Sequence, residues 1–269
     1  MLGEPLVCAA LGFPIASIPL ERFGLKFSDG GPHVSRTMML AELTTVLGAM
    51  ARGASVDDYR EAILVRNVLS KATISTRGES LRRLRELYAL DEARPIFGLL
   101  IKLHEIDPAS LPLLALQVAF GRDPTFRATA PVVFNAAYGA RVETASLAQA
   151  FAETFPGQYS ESSQGQTGRH AASSWTQSGH LFGRTRKTRQ MIQPTAAAVT
   201  MALFLGSISK YHGVAVFSNP WCRLLDLDPG RARSMGQEAH RAGLLDLRAV
   251  GEVVELNFPR FTQFQGQTV

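Results

Sequence analysis

The predicted fold rests on residues 219–243, which read NPWCRLLDLDPGRARSMGQEAHRAG. Asn219-Pro220 and Asp228-Pro229 each place a capping side chain directly before a proline, which is typical of the first residues of a helix. Gly243 follows the second apolar pattern and is typical of a helix end. The stretch therefore predicts two consecutive helices that meet at a short turn.

The flanking sequence extends these two helices into a longer order of elements. Upstream, Pro194-Thr195 precedes a strongly apolar helix that runs to Leu205. Downstream, residues 244–258 predict two β-strands of a hairpin, one on each side of Val250-Gly251-Glu252, and apolar and polar residues alternate in the second strand. Three helices followed by a hairpin are typical of a winged-helix domain, which we predict over residues 194–261.

The last helix of this unit, residues 231–242, has two chemically different faces. At about 100° per residue, small and apolar side chains fall on one face and polar donors on the other. Donors of this kind bind base edges or phosphates, and a basic residue on the hairpin would reach the backbone. A winged helix is equally compatible with a protein adaptor. The predicted DNA-binding residues here are Arg233, Ser234, Gln237, Arg241 and Arg248.

A second helical unit is predicted near the N-terminus. A three-four spacing of apolar residues predicts a helix over residues 35–50, and Ser55 ahead of two aspartates predicts a second one that ends near Asn67. Thr76 and Glu79 form a capping-box pattern that predicts the start of a third, arginine-containing helix at Thr76. Three short helices of this kind predict a helix-turn-helix domain over residues 35–90.

The third helix allows two interpretations. Glu79 with Arg83 and Arg82 with Glu86 are spaced for ion pairs along an exposed face, each worth about 0.2 to 0.5 kcal/mol. Alternatively, the helix start is a phosphate site, because backbone N–H groups there lie beside basic and hydroxyl side chains. The residues of that site are Lys71, Ser75, Thr76 and Arg77.

The remaining segments connect the two units. Residues 91–156 are predicted to be a helical middle region, and residues 157–168 are either a loop or the polar start of a helix. The run RTRKTR is predicted to be an exposed loop that contacts phosphates through Arg184, Arg186, Lys187 and Arg189. The chain is thus divided into an N-terminal extension (1–34), a helix-turn-helix domain (35–90), a helical middle region (91–156), a polar and basic connection (157–193), a winged-helix domain (194–261) and a tail (262–269).

Composition limits the class of protein. The chain has 269 residues, 46% of them hydrophobic, and a formal net charge of +5, which excludes a disordered chain. Only two cysteines are present, Cys8 and Cys222, so a disulfide framework is excluded and a cytoplasmic location is expected. No stretch reads as a signal peptide or a membrane span. We predict a mainly α cytoplasmic protein without a membrane partner.

Patterns of catalytic chemistry do not emerge from the sequence. The six histidines lack the spacing of a metal site, and neither a phosphate-binding glycine loop nor a nucleophile elbow is found. We therefore expect no enzyme activity, no metal and no cofactor.

One region resembles a known family. Phe27-Ser-Asp-Gly-Gly31, Ser35 to Leu43, Asp58 to Leu64, Asn67-Val-Leu69, Ser75-Thr-Arg77 and Leu81 to Leu87 together resemble the BrxA family of the BREX phage-defence systems. The resemblance extends over residues 26–90. It implies a mostly helical DNA-binding protein without known catalysis, encoded beside a methyltransferase and other defence proteins. The binding residues it implies are Ser75, Thr76, Arg77 and Arg83.

The sequence thus predicts a non-enzymatic protein that binds double-stranded DNA, and the resemblance implies a bacterial anti-phage (BREX-like) setting with other defence proteins as partners. The alternative is a scaffold or adaptor subunit whose basic faces bind acidic partner proteins of a larger defence complex. Both alternatives require the same helical fold, so the choice between them depends on which basic side chains are available.

Overall fold

A computed structural model describes residues 11–28, 30–250 and 253–265 of the chain. The protein is mainly helical with two small antiparallel sheets, which confirms the predicted mainly α class. The helices of the first half are α1 (Ile18–Phe23), α2 (Leu40–Gly48), α3 (Val56–Leu64), α4 (Ile74–Tyr88), α5 (Pro95–Ile106), α6 (Leu111–Arg122), α7 (Pro124–Arg127) and α8 (Ala130–Asn135). Those of the second half are α9 (Thr144–Thr154), α10 (Glu161–Gln177), α11 (Ala196–Ile208), α12 (Pro220–Leu224), α13 (Pro229–Arg241) and α14 (Thr262–Gln265).

The strands form two separate sheets. In the first, β3 (Lys187–Arg189) lies between β1 (Arg141–Val142) and β2 (Leu181–Phe182) and is antiparallel to both. In the second, β4 (Asp246–Val250) pairs with β5 (Val253–Asn257) as a hairpin, in the register Asp246 to Asn257 through Val250 to Val253. This hairpin confirms the predicted β element. The predicted turn residues Gly251 and Glu252, like Cys8, lie outside the described residues.

The core is organised around two apolar helices. In α6 every residue from Leu113 to Arg122 is buried, and α6 packs against α4, α5 and α11. Helix α11 is buried from Ala197 to Gly206 and packs against α13. Buried apolar side chains form one large cluster that extends from Leu11 to Phe264. The helical middle region therefore supplies part of a core shared with both ends of the chain.

The helix starts in the C-terminal part are those that the sequence predicts. Thr195 caps α11 by accepting the Ala198 N–H, and Asn219 caps α12 by accepting the Cys222 N–H. Asp228 caps α13 by accepting the Arg231 N–H. The predicted order of three helices and a hairpin is thus present.

Two predicted helix starts in the N-terminal part are wrong. The first helix begins at Leu40, not at Ser35, because the preceding backbone makes a tertiary hydrogen bond instead of a helical one: the Met38 N–H donates to Ser174 Oγ at 2.8 Å. Met39 then has a left-handed φ of 52°, which prevents the helix from continuing upstream. The Ser55 cap of α3 is confirmed and forms a capping box with Asp58.

The third helix begins one turn earlier than predicted. Thr73, not Thr76, is the N-cap, and Thr73 and Thr76 form the capping box. The carboxylate of Glu79 is not part of a box, because it receives hydrogen bonds from Arg82 and Arg83 instead. Thr76 thus lies inside the first turn of α4.

The two polar segments of the connection are both ordered. The stretch left open as loop or helix is largely helical, because Ser160 caps α10 by accepting the Ser163 N–H. The basic run that follows was predicted to be an exposed loop, which is wrong for its second half. Residues 184–186 turn between β2 and β3, whereas Lys187–Arg189 form β3 and pair with β1 and β2. Among the described residues, none of the helices combines the length and the apolar character that spanning a bilayer requires.

Candidate nucleic-acid interface

Helix α13 has the two faces that its sequence predicts. Ala232, Gly236 and Ala239 are buried, while Met235 is half-buried. A Cβ on Gly236 would lie 3.2 Å from Leu203 Cδ1, so the absence of a side chain allows α13 to approach α11 closely. This close packing fixes the helix and leaves its opposite face in contact with solvent.

The outward face of α13 carries donors. Ser234, Gln237 and Arg241 are exposed, and Arg233 is half-buried. Within the described part of the chain, neither Arg233 nor Arg241 forms an ion pair, and Glu238, the acidic residue of the same helix, contacts neither of them. Both guanidinium groups therefore keep their donors for an external ligand.

The hairpin adds one further basic side chain beside this helix. Arg248 is exposed on β4 and lies directly across from Glu255 on β5. Opposite charges at paired positions of two strands attract each other, by roughly 0.2 to 1 kcal/mol. Arg248 is thus accessible, but its charge is partly offset by its neighbour.

The predicted contribution of Arg189 is wrong. Its side chain is only 2% exposed and forms an ion pair with Asp226, in the turn between α12 and α13. Arg189 Nε also donates to the Val133 carbonyl at 2.9 Å. A buried guanidinium with these partners connects β3 to the helices and cannot contact a phosphate.

Lys187 is also held within the protein. Its Nζ donates to Thr176 Oγ1 at 2.8 Å and to the Gly183 carbonyl at 2.9 Å, and burial lowers the pKa of the ammonium group. Of the four basic residues in the run, only Arg184 and Arg186 are exposed. The predicted phosphate contact is therefore reduced to these two arginines at the turn.

The segment after β3 contacts the start of α13. The Ile192 N–H donates to Asp226 Oδ2 at 3.3 Å, and Arg231 Nη1 lies 3.6 Å from Met191 Sδ. Together with the ion pair between Arg189 and Asp226, these contacts connect the segment around β3 to the N-terminal end of α13.

The predicted phosphate site at the start of α4 is largely engaged in internal contacts. Lys71 Nζ forms an ion pair with Glu42 at 3.2 Å, and Arg77 Nη1 donates to the Leu64 carbonyl at 3.1 Å. Thr76 is used in the capping box, while Ser75 is exposed. The cations of this region therefore stabilise the turn between α3 and α4.

The alternative prediction for this helix, an ion-paired face, is confirmed. Arg83 bridges Glu79 and Glu86, with an N–O distance of 2.9 Å to each carboxylate. Arg82 contacts the same two carboxylates at 2.8 and 2.9 Å. Two arginines and two glutamates cancel in charge, so this face of α4 has little attraction for a polyanion.

The sequence reasoning missed a buried Ser-His-Asp arrangement. His33 Nδ1 lies 2.7 Å from Asp123 Oδ2, and His33 Nε2 lies 2.8 Å from Ser174 Oγ. The His33 ring stacks on Phe126 with a centroid distance of 4.2 Å. Gly31 allows this approach, since a Cβ there would lie 1.8 Å from Asp123 Oδ1.

The contacts of this arrangement indicate a structural role. All three side chains are fully buried, whereas a nucleophilic serine must be reached by its substrate. Ser174 Oγ accepts the Met38 N–H at 2.8 Å and donates to the His170 carbonyl at 2.9 Å, so its hydrogen-bonding capacity is used within the fold. The group joins the segment before α2 to α7 and α10.

Neither a metal centre nor a known relative adds to this picture. Among residues 11–28, 30–250 and 253–265, no three His, Cys, Asp or Glu side chains are placed together to hold a metal ion. Comparison with known proteins gives no matching family model, no matching curated protein and no matching solved structure.

Proposed function

We propose that the protein binds double-stranded DNA through the exposed face of α13, with the β4–β5 hairpin as a wing. The observation that carries the proposal is that Arg233 and Arg241 lie on an ordered, exposed helix face without a carboxylate partner in the described chain. Ser234 and Gln237 lie on the same face. A helix with such donors fits the major groove, where arginine and glutamine contact guanine and adenine edges.

The pattern of ion pairs supports α13 over α4 as the DNA-binding helix. Residues 229–248 and α4 each contain four arginines and two acidic residues, so their net charge is the same, but Arg233 and Arg241 form no ion pair in the described chain. On α4, by contrast, Arg82 and Arg83 share Glu79 and Glu86. Release of counterions from DNA requires protein charges that are not already neutralised.

The resemblance to the BrxA family supports a setting for this activity. We include in the proposal that the protein acts in bacterial phage defence, together with other proteins of such a system. Of the two arginines of α4 that the resemblance would assign to DNA, Arg83 is held by two glutamates and Arg77 donates to the Leu64 carbonyl, so the proposal places the contact on α13. Comparing the plating efficiency of phage on cells with and without the gene, within its defence system, tests this part.

The test of DNA binding is a fluorescence-anisotropy titration of labelled duplex at several salt concentrations. For wild type, log K should fall linearly with log salt, by about 0.9 for each phosphate neutralised. Arg241→Ala should weaken binding to all sequences and reduce this slope by about 0.9. The matched control is Arg60→Ala, which removes an exposed arginine of α3 and should leave both quantities unchanged.

A second variant tests whether α13 reads sequence. On a duplex selected from a random library, Gln237→Ala should cost about 1 to 3 kcal/mol, with little effect on random DNA. Equal binding of wild type and Gln237→Ala to every duplex would restrict α13 to phosphate contacts. Wild-type affinity that is absent or insensitive to salt would refute DNA binding and favour the adaptor alternative.

A further inference from the structure

A basic cleft lies on a different part of the protein from α13. It has a volume of about 600 Å³ and opens between α4, the segment that follows α1 and the end of α6. Small-molecule sites in proteins commonly have volumes of about 300 to 1,000 Å³. The cationic side chains that line it are Lys26, Arg85, Arg94 and Arg122, together with Arg82, whose charge is balanced by Glu79 and Glu86.

Arg122 forms the floor of this cleft without a counter-charge. Its side chain is 7% exposed and donates to three backbone carbonyls, those of Gly24 at 2.6 Å and of Arg85 and Glu86 at 3.3 Å. No carboxylate of the described residues forms an ion pair with it. Burial, together with the charge of Arg94, lowers the pKa of this guanidinium to about 10.

Lys26 adds a second poorly compensated charge. Its Nζ donates to the Glu86 carbonyl at 3.3 Å, and burial followed by the repulsion of Arg122 lowers the pKa of the ammonium group, despite the attraction of the Glu86 and Asp123 carboxylates. Both cations thus face the last turn of α4, whose carbonyls carry about half of one negative charge. This partial negative charge does not balance the two full positive charges of Lys26 and Arg122, so an excess of positive charge remains in the cleft.

The acidic side chains around the cleft do not remove this excess. The Glu86 carboxylate is shared between Arg82 and Arg83, each at 2.9 Å. Asp91 lies 3.9 Å from Arg94 Nε and accepts the Ala93 N–H. Glu21 is exposed at the rim on α1.

We propose that this cleft binds a phosphorylated small molecule, up to the size of a mononucleotide. The phosphate would lie against Arg122 and Lys26, with Arg85 and Arg94 closing over it from the rim, since clustered cations of this kind bind phosphate through several charge-assisted hydrogen bonds. Leu25 and Leu81 line the apolar part of the cleft, where an uncharged body can pack. The terminal phosphate of a small molecule can reach the recessed Arg122 guanidinium more easily than a backbone phosphate that is flanked by other nucleotides in a duplex. The inference is independent of DNA binding by α13.

The test is isothermal titration calorimetry of the full chain with inorganic pyrophosphate and with adenosine diphosphate, in magnesium-free buffer. We expect one molecule bound per chain, with the diphosphate nucleotide binding more tightly than pyrophosphate because of its uncharged body. Arg85→Ala combined with Arg94→Ala should weaken both ligands at least about tenfold, since two cations are lost. The matched control, Arg60→Ala with Arg169→Ala, removes two exposed arginines outside the cleft and should leave binding unchanged.

Lys26→Met provides a second variant that retains the apolar stem and removes one charge at the floor, and it should also weaken both ligands. Arg122 is not substituted, because its contacts with α4 contribute to the fold. Absence of binding by wild type, or equal weakening by the control pair, would overturn the proposal. It would also be overturned if the Arg85 and Arg94 pair abolished duplex binding and left both small ligands unaffected. Retention of duplex binding by this variant separates the cleft from α13.

Discussion

The buried contact between His33 and Asp123 gives the sharpest test of how the fold is held together. We consider Asp123→Ala, His33→Ala and the double variant. Asp123 Oδ2 receives the backbone N–H of His33 at 2.9 Å and contacts His33 Nδ1 at 2.7 Å. Asp123 Oδ1 receives the N–H groups of Thr125 at 2.9 Å and Phe126 at 3.1 Å, which caps α7.

The magnitude follows from burial. Both side chains have no exposed surface, so removal of one partner leaves the other without compensation, at a cost of about 3 to 5 kcal/mol. Asp123→Ala also removes a helix cap, which adds about 1 kcal/mol. Because the two residues are in direct contact, their losses should not add, and a double-mutant cycle should give a coupling of about 2 kcal/mol.

Urea unfolding at neutral pH, followed by both circular dichroism and tryptophan fluorescence, measures these free energies. Agreement of the two probes shows whether a two-state analysis is justified for a chain of 269 residues. The control is Glu61→Ala, an exposed acidic residue of α3, which should change the unfolding free energy by less than about 0.5 kcal/mol. A coupling below about 0.5 kcal/mol would show that His33 and Asp123 contribute independently and would refute the reasoning.

The same pair predicts a dependence on acid. Burial alone raises the pKa of Asp123, but the charge of His33, with its hydrogen bond and that of Thr125, brings the pKa below its ordinary value of 3.8. A lowered pKa in the folded state means that the carboxylate stabilises the protein above about pH 4 and that this stabilisation is lost as pH falls through the folded value. The stability difference between wild type and Asp123→Ala should therefore shrink as the pH falls below 4. A difference that stays constant down to pH 2 would contradict the assignment of a charged Asp123.

Two further predictions concern the basic run of residues 184–189. The double variant Arg184→Ala, Arg186→Ala should leave the fold intact and reduce the salt slope of DNA binding by at most about 1.8 in the anisotropy titration. An unchanged slope would exclude this turn from the DNA interface. Arg189→Ala should instead lower the free energy of unfolding, measured in urea, by about 3 to 5 kcal/mol, because it leaves the buried Asp226 carboxylate without its ion-pair partner. A stability equal to that of wild type would contradict the importance of this ion pair.

The sequence predicts local structure well where the cause is local. Asn219 and Asp228 each lie three residues before the N–H that they accept, so the cap and its helix are encoded in one short stretch. Thr73 was missed because Thr76 with Glu79 offers a competing capping box in the same stretch. In the structure Glu79 pairs with Arg82 and Arg83, one turn further along the same helix, and its carboxylate is therefore not used in a cap.

Contacts distant in sequence were not predictable in this way. His33 lies 90 residues from Asp123 and 141 residues from Ser174, and no spacing rule connects residues so far apart. Asp123 precedes Pro124 and is the N-cap of α7, and nothing in this local pattern indicates its contact with His33. Gly31 is the local sequence feature that relates to this contact, because its missing side chain provides the space that the Asp123 carboxylate occupies.

The same distinction decides which basic clusters can bind a polyanion. The counter-charges of Arg83 lie within one turn of its own helix, whereas that of Arg189 lies 37 residues away on Asp226. Counting arginines along the sequence treats these residues and Arg241 alike, although counterion release depends only on charges that remain uncompensated. Arg241 lies on an exposed face without an ion pair in the described chain. For this reason the attraction for DNA should be concentrated on α13 even though α4 is also rich in arginine.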